Sequence, residues 1–200
     1  MEIISRVKGI LVSPKPEWQT IEAENDPHVK VFTTYVVPLA LIPAIASFIG
    51  YGIIGYSVLG IRIGSISLGL SNAITQYLTM LGGIYLSAFV IDALANNFGA
   101  KKDFNRTFSL VAYSYTPMFV AGIFNILPAL AWLATLVGGV YTLYLLYIGL
   151  QPMTKVPAEK QTGFFIISLI AIFVAYFILA AILGLILAGI FGASLMKGIL

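Results

Sequence analysis

The sequence predicts an all-α integral membrane protein with five transmembrane helices. Apolar residues make up 60% of its 200 residues and charged residues 10%, a balance far from that of soluble domains. Five apolar stretches each reach the roughly 20 residues that a helix needs to cross the hydrocarbon core of a bilayer. The basic residues are concentrated in the segments between alternate stretches, which is typical of a multi-pass membrane protein.

The distribution of Lys and Arg also predicts the orientation. If each apolar stretch crosses the membrane once, Arg62 and Lys197 fall on one side and the other nine of the 11 basic residues on the opposite side. By the positive-inside rule the side with nine is the cytoplasm, so the N-terminus is predicted inside and the C-terminus outside. The nine are Arg6, Lys8, Lys15, Lys30, Lys101, Lys102, Arg106, Lys155 and Lys160.

Residues 1–30 are predicted to be a cytoplasmic interfacial segment with two short helices. Over residues 1–12 an apolar stripe has Arg6 on the opposite face, which is typical of an amphipathic helix lying on a membrane surface. Packing of this helix on the cytoplasmic rim of the bundle explains the pattern equally well. A second helix is predicted over residues 16–24, where Trp18 is a candidate interfacial membrane anchor.

Residues 31–200 are predicted to form a five-helix transmembrane domain. The first span contains Pro38 and Pro43, which predict a kink, and residues 57–68 predict a loop or hairpin at the outer surface. Gly99 is a candidate C-cap of the second span. The fifth apolar stretch exceeds the length that a bilayer requires, so the last helix is predicted to be tilted or to protrude. The predicted spans cover residues 31–56, 73–96, 108–124, 129–150 and 163–196.

Asp92 is the one acidic residue inside an apolar stretch, and it shares a helical face with Asn96. Ionisable side chains within spans face the bundle interior or water and often mark function. Two roles are open for Asp92: a structural partner of Arg106, Lys102 or a tyrosine, or a proton or ion site. Its position near the inner boundary favours the structural role, because the cost of a charge falls there.

The third and fourth spans carry the other candidate polar residues. Tyr113 and Thr116 come just before Pro117, and a hydroxyl there can satisfy the carbonyl that a proline leaves unpaired. This structural role is favoured over the lining of a polar cavity. In the fourth span tyrosines recur every three residues up to Tyr147, followed by Gln151, and are candidates for contacts with neighbouring helices and the inner interface.

The fifth span repeats small residues every four positions, a pattern that allows another helix to approach closely. The partner is another span of the same chain or a second protomer, so a homo-oligomer or a membrane-protein complex is possible. The small residues are Ala180, Gly184, Ala188 and Gly192.

The composition also argues against several classes of protein. With no Cys and one His, we expect no disulfide, no metal site and no Cys nucleophile. The basic residues flank membrane spans and alternate with acidic ones, so we expect the bilayer rather than nucleic acid as their partner. No phosphate-binding loop, catalytic carboxylate pair or nucleophile motif is present, so we expect no cofactor and no enzymatic activity.

Four stretches stand out by their order along the chain. They are Pro14-x-x-x-Trp18-x-x-Ile21-x-x-Glu24, Phe98-Gly99-Ala100 with Asp103-Phe104, Tyr113-Ser114-Tyr115-Thr116-Pro117, and Tyr141-x-x-Tyr144-Leu145-Leu146-Tyr147-Ile148-Gly149-Leu150. In this order they resemble the bacterial branch of the Yip (Rab-interacting protein) domain family of five-span membrane proteins. The resemblance implies a multi-pass protein of the bacterial inner membrane. Eukaryotic relatives bind Rab GTPases, but their acidic, aromatic motif is replaced here by Asp26-Pro27-His28, so Rab binding is not carried over.

Two functions of different classes follow from these observations. The first is a non-enzymatic protein that organises the membrane or recruits partners through its cytoplasmic face, where the charges lie. The alternative is a small transporter or channel for an ion or small solute that uses Asp92 and the Tyr-rich third and fourth spans. The outer halves of the spans contain few polar groups, which favours the first.

Overall fold

The computed structural model describes the backbone of residues 2–59 and 61–197, and their side chains except those of residues 57, 58, 61, 62 and 179–197. The repeat of Ala180, Gly184, Ala188 and Gly192 therefore lies outside the described side chains. Five helical segments are long and apolar enough to cross a membrane, as predicted. We call them spans 1 to 5; they cover His28–Ile54, Ile66–Phe98, Phe104–Ile126, Pro128–Thr154 and, in its described part, Ala158–Ile178.

Two short helices precede the spans, α1 (Ile3–Val12) and α2 (Pro14–Glu24). Pro14 begins α2 because the first helical position needs no backbone N–H donor. Asn25 ends it in the left-handed conformation, with its N–H donating to the carbonyl of Ile21. Helix α1 contacts α2 and the middle of span 3, so the two short helices pack against the bundle.

Span 1 is an interrupted helix. It consists of α3 (His28–Val31), a π-helical turn (Phe32–Val36), α4 (Val37–Ser47) and a second π-helical turn (Phe48–Ile54). The first π turn lies directly before Pro38, which cannot donate a backbone hydrogen bond. Span 1 therefore shows altered helical hydrogen bonding around its prolines, while the predicted kink stays a prediction.

Residues 57–68, predicted to be a loop or hairpin, divide between two elements. A short antiparallel hairpin joins β1 (Tyr56–Val58) to β2 (Ile61–Ile63), with Tyr56 opposite Ile63. Helix α5 (Ile66–Leu94) then begins seven residues before the predicted start of span 2, because the Ser65 hydroxyl accepts from the N–H of Leu68 and caps it.

Span 2 ends in a 3₁₀ turn (Ala95–Phe98), followed by Gly99 in the left-handed conformation. Span 3 divides at Tyr115 into α6 (Phe104–Ser114) and α7 (Thr116–Ala121), and a 3₁₀ turn (Gly122–Ile126) completes it. Asp103 caps α6 by accepting from the N–H groups of Asn105 and Arg106. Span 4 is α8 (Pro128–Thr154), and span 5 is part of the long helix α9 (Ala158–Lys197).

Span 3 is the central span, because it packs against spans 1, 2 and 4. Span 2 also contacts spans 1 and 5, and span 4 also contacts span 5. Small residues allow the closest approaches: a Cβ on Gly122 would clash with Pro43 of span 1. The largest fully buried side chains include Trp18 of α2, Phe108 and Phe119 of span 3 and Phe164 of span 5.

Candidate functional site

Charged side chains lie together at one end of the bundle, on the N-terminal helices and on two loops between spans. This charged end consists of helices α1 and α2, the loop 99–103 and the loop 155–157. The N–H of Lys101 donates to the carbonyl of Thr154 at 2.7 Å, which joins the two loops. Lys155 then pairs with Glu22 of α2 at 2.6 Å. The N-terminal segment and both loops therefore form one connected surface.

Arg6 is the most deeply buried charge of this end, at 3% exposure. Its guanidinium pairs with both Glu17 and Glu24 of α2, and it lies 5.3 Å above the ring centroid of Tyr113 in span 3. A buried arginine needs such partners, because an unpaired charge is strongly disfavoured away from water. Glu17 and Glu24 are seven residues apart, two turns of α2, so both reach the same side chain.

Arg6 was predicted on the solvent side of a surface helix, and the structure turns it inwards. Ile4, an apolar residue of the same helix, is 79% exposed. The hydroxyl of Tyr141, near the middle of span 4, donates to the carbonyl of Leu11 at 2.7 Å. Helix α1 therefore packs on the bundle, which was the second of the two interpretations of its sequence. Other apolar residues of α1, Ile3, Val7, Ile10 and Leu11, pack against the core, and the two carboxylates of α2 allow Arg6 to be buried beside them.

Glu22 joins three elements by itself. Its carboxylate contacts Lys155 of the loop after span 4 and Arg106 of span 3, the latter at 3.4 Å. The hydrogen bond from Lys155 and, more weakly, the bond from Arg106 lower the pKa of the Glu22 carboxyl below its ordinary value of 4.5, against the opposing effect of burial. Glu22 is thus charged at neutral pH and holds α2 to both spans.

Trp18 was predicted to anchor the segment in the membrane interface, and the structure places it inside the protein, at 1% exposure. Its indole ring packs against Gly149 of span 4 and near Leu110 of span 3. The indole Nε1–H has no hydrogen-bond partner in the described part of the chain. Gly149 admits the ring because it has no Cβ.

A groove of about 540 Å³ opens beside Trp18, between α2 and the end of span 4. We call it the lysine groove. Four of its lining residues have polar side chains with amide or ammonium donors: Lys15, Gln19, Gln151 and Lys155. Ile148, Pro152 and Val156 provide its apolar wall. Gln151, chosen from the sequence for its position after the tyrosines, thus borders a cavity at the charged end.

Asp92 is 6% exposed and faces Thr107 of span 3, whose hydroxyl lies 3.5 Å from Oδ1. The salt bridge to Arg106 considered from the sequence is not formed, because Arg106 pairs with Glu22 and Asp103 instead. Asn96, predicted to share the environment of Asp92, is exposed, and its carbonyl accepts the N–H of Gly99. The structure therefore does not bring Asp92, Asn96 and Arg106 together at one site.

Thr116 satisfies the helix break before Pro117. Its hydroxyl donates to the carbonyl of Tyr113 at 2.6 Å, the carbonyl that Pro117 leaves without an N–H donor. The hydroxyl of Tyr35 in span 1 lies 2.7 Å from the same Thr116 oxygen and donates to it. This buried chain of hydrogen bonds connects span 1 to span 3.

Tyr147 contacts span 5 rather than a cavity. Its hydroxyl is 3.1 Å from that of Thr162, and its carbonyl accepts a hydrogen bond from the side chain of Gln161 at 2.8 Å. Tyr141 and Tyr144 stack with ring centroids 5.7 Å apart. Tyr147 thus connects span 4 to span 5, and Tyr141 connects it to α1 through Leu11. Within the described residues no group of three or more His, Asp or Glu side chains could hold a metal ion.

Comparison with known sequences assigns the family. The sequence model of the Yip1 domain matches residues 8–182, most of the chain. The chain belongs to the Yip1 domain family. It is 33% identical over 166 residues to the proteins named inner membrane protein YohC of Escherichia coli strain K12 and of Escherichia coli O6:H1, with 80% of this chain and 85% of each relative aligned. No solved structure matches the chain. The resemblance to the Yip family noted in the sequence is thus confirmed.

The Yip1 domain match includes α2, both loops of the charged end and the lysine groove, while Arg6 lies just before its start. The ion pairs of Arg6, Glu17, Glu22 and Glu24 were not predicted. One signal was available: Glu17 and Glu24 lie two turns apart on one helix, next to a segment that contains a single arginine. Periodicity of apolar residues alone did not reveal which charges would pair.

Proposed function

We propose that this Yip1-domain protein is a non-enzymatic, multi-pass protein of the bacterial inner membrane that organises the bilayer or recruits partners through its charged end. In this proposal the charged end faces the cytoplasm and the β-hairpin end faces outwards. The distribution of basic residues supports this orientation through the positive-inside rule. The inner-membrane location is supported by the name of the two Escherichia coli relatives, inner membrane protein YohC.

The observation that carries the proposal is the connection of the N-terminal helices to both loops of the charged end. Glu22 bridges Lys155 and Arg106, and Arg6 is enclosed by two carboxylates. The result is a preformed, charged surface, supported by ion pairs that include a buried guanidinium. Exposed lysines of the loop 99–103, Lys101 and Lys102, remain available on it. Such a surface suits the binding of anionic headgroups or of acidic segments of a partner.

The described part of span 5 supports a membrane or membrane-protein partner. Only 11% of its most apolar 18-residue segment is buried in the protein. Phe173 and Phe177 are 74% and 70% exposed. Lipid chains or another helix, including that of a second protomer, would cover these rings. Cross-linking of a Phe173→Cys variant in membranes distinguishes a second copy, which gives a disulfide-linked dimer, from lipid, which gives none.

The orientation can be tested cleanly because the natural chain contains no Cys. Single cysteines are introduced at Lys102, in the loop of the charged end, and at Leu59, which is 97% exposed in the hairpin. In intact spheroplasts we expect a membrane-impermeant maleimide to label Leu59→Cys, and to label Lys102→Cys only after permeabilisation. The reverse pattern contradicts the proposed orientation.

The function itself is tested by reconstitution. The protein is purified in nanodiscs, its copurifying lipids and proteins are identified, and ion and solute flux are then measured in proteoliposomes. The proposal expects defined lipids or partners that are lost from a Lys101→Gln/Lys102→Gln variant, and no flux above that of empty vesicles. Robust flux that is abolished in a correctly folded Asp92→Asn variant would contradict the proposal and support the transporter alternative.

A further inference from the structure

The lysine groove has the chemistry of an anion site. Lys15 and Lys155 supply two ammonium groups, and Gln19 and Gln151 supply amide donors. None of the eight described residues that line it carries a carboxylate. Its volume of about 540 Å³ is large enough for a polar headgroup.

The charges that face the groove from neighbouring elements leave it positive. Lys155 pairs with Glu22, and Arg106 pairs with both Glu22 and Asp103, so two carboxylates balance these two cations. Lys15 is exposed and forms no ion pair in the described part of the chain. Glu17, on the same helix, is occupied by Arg6. An additional anion would therefore meet uncompensated positive charge at Lys15, with the half-exposed ammonium group of Lys155 beside it.

A second, independent feature is the orphaned donor of Trp18. Its Nε1–H is buried without a partner, although the indole N–H usually finds an acceptor when it is buried. Leaving such a donor unpaired costs about 1–3 kcal/mol. An acceptor oxygen on a ligand bound in the groove would satisfy it.

The position of the groove along span 4 indicates where its ligand comes from. Val140, Leu143 and Tyr144 are exposed apolar or aromatic side chains on the same helix, one to two turns before Ile148 of the groove wall. The groove therefore opens where the exposed apolar surface of span 4 gives way to charged residues. This is the depth at which lipid headgroups lie and lysine side chains extend towards them.

We propose that the lysine groove binds the phosphate-bearing headgroup of an anionic phospholipid. Lys15 and Lys155 contact the phosphate oxygens, the Trp18 indole N–H donates to an oxygen of the same headgroup, and the acyl chains follow the exposed side of span 4. This site goes beyond the proposed function: it requires neither a protein partner nor a particular orientation of the chain in the membrane.

The test compares lipid binding by matched lysine variants. Lys15→Gln removes a groove lysine, and Lys8→Gln removes an exposed, unpaired lysine of α1 outside the groove. Native mass spectrometry of the detergent-solubilised full chain, titrated with phosphatidylglycerol or phosphatidylcholine, gives the affinity of each variant. We expect preference for phosphatidylglycerol, weakened about tenfold by Lys15→Gln, as for the loss of one charged hydrogen bond, and unchanged by Lys8→Gln. Equal affinities of all three proteins overturn the site.

Trp18 provides a local signal for the same titration. The chain has two Trp residues, and Trp132 is 67% exposed, so Trp132→Phe leaves Trp18 as the only tryptophan. Its emission should change with phosphatidylglycerol and not with phosphatidylcholine. Severalfold weaker binding by Trp18→Phe, measured by mass spectrometry, supports the indole donor, and equal binding overturns that role. A response to inorganic phosphate that matches the response to phosphatidylglycerol overturns the lipid as the ligand.

Discussion

The indole ring of Trp18 lies directly against Gly149, so that a Cβ on Gly149 would stand 2.5 Å from Cε2 of the ring. This contact joins the N-terminal segment to span 4, with three spans between them in the sequence. Trp18 also lines the lysine groove. The absence of a single side chain thus determines where α2 sits.

Replacement of Gly149 with Ala should displace α2. A new methyl group in a filled core costs about 1–3 kcal/mol, and here it would lie 2.5 Å from the indole ring of Trp18. Hydrogen–deuterium exchange of residues 14–24 should therefore increase. Gly139→Ala, in the same helix, is the control, because nothing lies within 4 Å of its Cβ position. Similar exchange in both variants would show that the Trp18 contact does not hold α2.

Replacement of Arg6 with Gln should release α1 and α2 from each other. The change leaves the carboxylates of Glu17 and Glu24 without their cation. Breaking a buried ion pair costs about 3–5 kcal/mol, and we expect the lower limit of about 3 kcal/mol because Glu24 is partly exposed. Thermal unfolding in detergent should begin with residues 3–24, as seen by exchange. Lys8→Gln removes an exposed charge of the same helix and should leave unfolding unchanged. Equal effects of the two substitutions would contradict the structural role of Arg6.

Replacement of Thr116 with Val should weaken the contact between span 1 and span 3. The variant keeps the shape of the side chain but loses the bonds to the Tyr113 carbonyl and the Tyr35 hydroxyl. Hydrogen bonds between membrane helices contribute about 0.6–1.7 kcal/mol, so we expect destabilisation of that size in unfolding by denaturant. Thr33→Val, whose hydroxyl bonds only within its own helix and is exposed, should change stability less. The reverse order would argue against this connection.

The attachment of α2 should weaken in acid because of Glu22. A carboxyl whose pKa is lowered by folding stabilises the folded state above its ordinary value, here 4.5, and this contribution is lost as the pH falls through the lowered pKa. The difference in unfolding temperature between the natural protein and Glu22→Gln should thus be largest near neutral pH and shrink below pH 4.5. Glu2→Gln, which removes no ion pair in the described part of the chain, is the control. A difference that stays constant with pH would contradict the bridging role.

The sequence predicted the spans better than the residues that join them. Apolar stretches long enough to cross a bilayer are a property of single segments, so all five were found. The predicted start of span 2 at Ala73 is seven residues too late. The Gly-rich stretch before it predicts a loop, whereas in the structure the Ser65 side chain caps a helix there. The hydrogen bond from Thr116 to the carbonyl that Pro117 leaves unpaired agrees with the prediction, because the donor and the acceptor lie within one helical turn.

The interactions between distant segments could not be predicted in the same way. Arg6 was predicted to lie opposite the apolar stripe of α1, but it is buried because it pairs with Glu17 and Glu24 of another helix. Arg106 was predicted as a possible partner of Asp92, but it pairs with Glu22, which lies 84 residues earlier in the chain. Trp18 was assigned to the lipid interface, since nothing in its own segment indicates the cleft left by Gly149.

By itself the sequence determined that the chain is a five-span membrane protein, along with its charge distribution and its family resemblance. These follow from hydrophobicity and local hydrogen bonding, which act between residues that are close along the chain. Only the tertiary structure decided which charges pair, how the N-terminal helices dock and where a groove with two lysines forms. Those features depend on side chains brought together from opposite parts of the sequence, and burial then selects the partners that can neutralise one another.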